Sequence, residues 1–207
     1  MSKKRSRPSS GAAEKPRAQP PLSTPGDSAW AAYQRTARVT STTLIRVTEG
    51  LIDPEEIALD PQTHLLDIFA HEAEAARVWH RRRRLAESGW IEGAVRLRYQ
   101  EQELMPAAGV WDVVSLWFSV LQLIEEFQQE GRALVYFPDE PVPIALETVK
   151  RRVFFTVGET RMMVEPLPFL SSLVDEAERF FQWMGRNVGA DAADREIEAI
   201  RSRLTQP

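Results

Sequence analysis

Between residues 136 and 143 the chain reads Tyr136-Phe137-Pro138-Asp139-Glu140-Pro141-Val142-Pro143, and no other stretch restricts the fold as much. Its three prolines remove backbone donors, fix φ and push the residues before them into extended conformations. Such a segment cannot run through the middle of a sheet, so it must form an edge or a corner between strands. Ala133–Phe137 reads as a short strand leading into it. Beyond it, Ile144–Val149, Val153–Val157 and Arg161–Glu165 read as a meander, with turns at Lys150-Arg151 and Gly158-Glu159-Thr160.

The flanking segments have helical period. Trp111–Glu130 places Val113, Leu116, Trp117, Val120, Leu121, Ile124 and Phe127 on an inward face, and Gly131 stops it. Pro168–Val188 is amphipathic, and Asp191–Leu204 is a short, mostly charged helix. Ala94–Leu104 alternates instead, with Val95, Leu97 and Tyr99 opposite Arg96, Arg98 and Gln100, which predicts one half-buried strand. Further upstream, Ala29–Ile52 mixes helix formers with Thr, Val and Ile; it is read as helix, closed by Gly50 and Asp53-Pro54. Asp60 and Pro61 then cap a helix over Gln62–Ser88, with Trp79 on its apolar face and Gly89 as its stop. The expected class is α+β: an antiparallel sheet of about four to five strands with helices packed on one face. A mainly helical region over 29–90 precedes this core of 91–207, and a disordered tail occupies 1–28.

Composition narrows the chemistry. The chain is 207 residues long, 43% apolar and 27% charged, as expected for a globular protein that needs no staples. It has no cysteine, which excludes disulfides, a thiol nucleophile and thiolate metal sites. No apolar run approaches the ~20 residues of a membrane span, so a cytoplasmic protein with no membrane partner is expected. Charge is unevenly placed. Residues 1–28 carry six basic and two acidic groups, against 20 basic and 28 acidic in the remainder, a body of net −8. The tail has five prolines and almost nothing apolar, so it cannot offset its own conformational entropy.

No arrangement of residues announces catalysis. His64, Asp67, His71 and Glu74 fall on one face if the 62–88 helix is continuous, but the two histidines are then about 10 Å apart along the axis. That is too far to share an ion, so no metal or other cofactor is expected, and the group reads as a solvated flank. No nucleophile elbow or phosphate-cradling glycine loop is present. Arg81, Arg82, Arg83 and Arg84 form the strongest nucleic-acid signal, as a collar around a helix end where cations also suit the helix dipole. The 136–143 segment offers Phe137, Asp139 and Glu140 as a rigid, acidic presentation to a protein partner.

The run Leu134 to Glu147 resembles the "YFPDxPxxIxLE" strand of small uncharacterised bacterial α+β proteins. An apolar helix precedes it there too, and a hairpin and a helix like that bearing Phe169-Leu170 and Phe180-Phe181 follow. These proteins look like the immunity and accessory proteins that accompany bacterial polymorphic toxins, and the resemblance spans roughly residues 94–184. It implies a non-catalytic module that binds another protein, with nucleic acid a less favoured partner. The alternative is a nucleic-acid-associated regulator using the basic tail and Arg81–Arg84; a hydrolase built on His64, Asp67 and His71 is a distant third.

Overall fold

A computed structural model describes residues 37–50, 52–85, 91–105, 111–138, 140–189 and 193–205. The fold is α+β, built on two antiparallel sheets. The first contains β1 (Val39–Arg46), β2 (Leu65–Asp67), β3 (Glu92–Tyr99), β4 (Gln102–Met105) and β5 (Trp111–Asp112), in the order β2-β1-β3-β4 with β5 also pairing β3. The second is the meander β6 (Arg132–Tyr136), β7 (Pro143–Val149), β8 (Arg152–Val157) and β9 (Thr160–Val164). Six helices lie among the described residues: α1 (Pro54–Leu59), α2 (Pro61–His64), α3 (Glu72–Leu85), α4 (Val113–Glu130), α5 (Pro166–Val188) and α6 (Asp194–Leu204).

Several expectations are corrected. Of the helix read over 29–52, residues 29–36 and 51 lie outside the described residues, and Val39–Arg46 is a strand, paired with β3 along seven residues from Val39↔Tyr99 to Ile45↔Gly93. Tertiary pairing with a long partner overrides weak local preference. Asp53-Pro54 opens a helix and does not merely close a segment: the Asp53 carboxylate accepts from Glu55 N–H at 2.9 Å. The 62–88 helix is broken, and its expected end at Ser88 with the Gly89 stop lies outside the described residues. Asp60 caps only the four-residue α2, and Asp67 then accepts from Phe69 N–H (2.8 Å) and Ala70 N–H (3.1 Å), turning the chain from β2 into α3. Residues 94–104 are a hairpin and not one strand, because Gln100 and Glu101 take φ of 48° and 69°, the geometry of a two-residue turn. Lys150 and Arg151, at 47° and 67°, form the same turn between β7 and β8. The tail expectation for 1–28 lies outside the described residues.

The helices do not share one face. Thr43 and Ile45 point from β1 toward α4, where Thr43 Oγ1 accepts from Trp117 Nε1 at 3.2 Å. On the opposite face Leu44 and Ala94 join Leu65 in a small separate cluster covered by Ile57 of α1. Gly93 sits where β1 and β3 come closest: a Cβ there would lie 2.0 Å from Leu44 O.

One contiguous core joins both sheets to α3, α4, α5 and α6. Phe169, fully buried at the start of α5, meets Tyr99 of the first sheet edge-on at 5.3 Å and Phe155 of the second at 5.1 Å. Tyr99 Oη also accepts from Glu165 N–H at 3.1 Å, and burial pushes its hydroxyl above the ordinary value. Ser172 Oγ accepts from Val39 N–H at 2.7 Å, fastening β1 to α5. Trp79 packs on Trp183 and Phe180, docking α3. A polar seam of Arg38, Asp175, Arg201 and Glu178 ties the start of β1, α5 and α6. Burial draws the Arg201 guanidinium down, but its hydrogen bonds to Asp175 and Glu178 outweigh that and leave it raised.

Candidate interaction site

The proline-rich corner joins β6 to β7 at the end of the second sheet. Phe137 N–H donates to Val142 O at 3.0 Å and Glu140 N–H to Phe137 O at 3.3 Å, so the turn is closed by its own backbone. Phe137 is not presented to a partner. Its ring is 4% exposed and lies on Trp111 at 4.4 Å, locking the corner to β5. Glu140 is exposed and makes no ion pair with a described residue; Asp139 lies outside the described residues.

What faces outward is the neighbouring position. Strand alternation that sends Ala133, Val135 and Phe137 inward sends Arg132, Leu134 and Tyr136 to the other side. Leu134 is 51% exposed and Tyr136 52%. Register carries this surface across the sheet, from Leu134 to Ala145, Thr156 and Arg161, and from Arg132 to Glu147, Phe154 and Met163. Met163 is 51% exposed. Arg161 pairs with Glu147 at 2.5 Å and lies 4.4 Å over the Phe154 ring, so this pair is committed within the face. A groove of about 690 Å³ is lined by Leu134, Ala145 and Thr156 of the sheet together with Glu126 and Glu130 of α4. Sequence reasoning missed Leu134, Tyr136 and Met163. Only the phase of the alternation could have found them, and consecutive apolar residues hide that phase.

The arginine collar divides. Arg82 turns inward: it donates to Thr48 O and lies 3.6 Å from Glu92, which also pairs with the buried Arg46 at 2.6 Å. Burial first, and then the charge of Arg46, hold the Arg82 guanidinium below its ordinary value. Arg81 is exposed and 3.7 Å from Glu49. The side chains of Arg83 and Arg84 lie outside the described ones. Of the histidines, His64 is buried and not solvated as expected, with Nε2 3.9 Å from Glu56, whereas His71 is exposed beyond the break at Asp67. Because that break separates them, they share no helix face. Among the described residues no group of three or more His, Asp or Glu side chains is placed to hold a metal ion. None of the described helices is long and apolar enough to cross a membrane.

No protein family, curated protein or solved structure matches the chain.

Proposed function

We propose that this protein is a non-catalytic binding module whose partner is another protein, held on the outer face of the second sheet. The observation that carries the reading is Leu134, Tyr136 and Met163, each half-exposed on one regular sheet face that no described element covers. Large apolar side chains gathered on one exposed face mark interaction surfaces, and aromatic anchors of this kind dominate binding energy. Glu126 and Glu130 line the groove along the face, and Glu140 is exposed in the corner beyond β6, on a body of net −8. Such a rim favours a basic partner, whose approach it speeds and orients. The immunity-like reading of the 134–147 segment fits this role, with a cytoplasmic, toxin-associated partner as its specific form.

The test is recovery of partners from native lysate on wild-type protein, beside a Tyr136→Ser, Met163→Ser double variant and an Asp139→Lys, Glu140→Lys double variant. Tyr136 and Met163 are half-exposed and Glu140 is exposed, and matching melting temperatures are the control that both variants stay folded. Loss of the same protein from both variants is expected. Equal recovery of the same proteins by all three sinks the reading.

A further inference from the structure

We propose that β6 is a self-pairing edge, through which two copies of this chain join their second sheets across a two-fold axis at Leu134. Thr148 N–H donates to Gly131 O at 2.9 Å and Phe137 N–H to Val142 O at 3.0 Å, which sets the parity of the β6–β7 ladder. Residues 131, 133, 135 and 137 therefore spend their backbone groups on β7. The N–H and C=O groups of Arg132, Leu134 and Tyr136 point away from it, and no described residue pairs with them. Natural edges are blunted by bulges, proline or cover. β6 has no proline within its five residues, its register is unbroken, and no described residue hydrogen-bonds to its outer edge. At the opposite edge, β9 offers only Arg161 and Met163, and Arg161 is already held by Glu147.

The sequence of the edge is complementary to itself. An antiparallel pair centred on Leu134 sets Leu134 against its own copy and Arg132 against the partner's Tyr136, twice. All are hydrogen-bonding positions, so the pairing supplies about six backbone hydrogen bonds. The outward side chains add an apolar contact at the axis and a guanidinium beside a phenol ring at each end. Charge agrees with this register. Arg132 and Glu140 are both exposed, neither forms an ion pair with a described residue, and they lie at opposite ends of the strand. The two-fold sets the partner's Arg132 beside Tyr136, at the end of the strand that leads into the turn carrying Glu140. A second copy matches this edge on all three counts, whereas an unrelated strand would have to match it by coincidence. Five residues make a short contact, so the dimer is concentration-dependent and not obligate. It would double the outer sheet face and leave it open.

The absence of cysteine provides a clean test. In a Leu134→Cys variant the two Cα atoms would be about 5.5 Å apart, within disulfide reach. In Arg132→Cys they would be ~14 Å apart, since each lies two residues from the axis. Under mild oxidation Leu134→Cys should cross-link roughly tenfold faster or more, as a covalent dimer of native melting temperature. Sedimentation of wild type from micromolar to millimolar should show monomer passing to dimer. Leu134→Pro deletes the outward N–H and the axial side chain while leaving the β6–β7 ladder its donors, and should stay monomeric. Arg132→Glu or Glu140→Arg alone should weaken the dimer, and the two together should restore it. Wild type that is monomeric throughout, dimerisation unaffected by Leu134→Pro, or equal cross-linking at 134 and 132 would overturn the proposal.

Discussion

Three side chains show how much one position decides. Trp117 Nε1–H has Thr43 Oγ1 as its hydrogen-bond partner in a site where both residues are fully buried. Thr43→Val keeps the shape and strands the indole donor, so it should cost about 1–3 kcal/mol, read by urea unfolding. Phe137 fills the contact between the corner and Trp111, and Phe137→Ala should cost about 3–5 kcal/mol, although its position in a proline-rich surface turn reads as exposed. Tyr99 gives the pH dependence. Its folded pKa is raised by burial above the ordinary 10.0, so the folded state holds the phenol proton more tightly than the unfolded chain. That contribution is fully present below pH 10 and is lost as pH rises beyond it. Melting temperature measured across that alkaline range should therefore fall more steeply for wild type than for Tyr99→Phe.

At the scale of elements, legibility followed the strength of the local signal. α4 is plain in the sequence because its apolar residues repeat at helical spacing and Gly131, at φ of 71°, supplies the left-handed stop. Replacing Ile124, fully buried on its inner side, by Ala should cost about 2–5 kcal/mol. The β3–β4 hairpin is hidden because Gln100-Glu101 carries none of the Asn or Gly that its turn prefers. The same holds for Lys150-Arg151, where the flanking strands alone reveal the turn. Relief of that left-handed backbone makes Arg151→Gly a stabilising change of roughly 0.5–1 kcal/mol, measurable as a raised urea midpoint at unchanged slope. β1 is hidden for another reason: its strand character depends on β3, 50 or so residues away, which no window of sequence contains. The candidate site was half legible. Prolines 138, 141 and 143 located the corner, but Leu134-Val135-Tyr136-Phe137 is apolar at every position, so which residues face outward depends on the packing of Phe137 against Trp111.

Across the whole molecule, the shared core determines how the protein loses its structure. Phe169 touches both sheets, and α4 lies against both, so neither sheet keeps a complete interior without the other. Thermal unfolding should be one transition, with tryptophan fluorescence and far-ultraviolet circular dichroism giving the same midpoint. Phe169→Ala should lower that midpoint for both probes together; two separated transitions would mean that the sheets are independent. The bond from Val39 N–H to Ser172 Oγ has a consequence for biosynthesis, since 133 positions separate its ends. On the ribosome, β1 is made well before the helix that fastens it. Until α5 follows, the nascent chain therefore exposes an unfinished apolar interior, and arrest before α5 has left the exit tunnel should leave it bound by chaperones and open to protease.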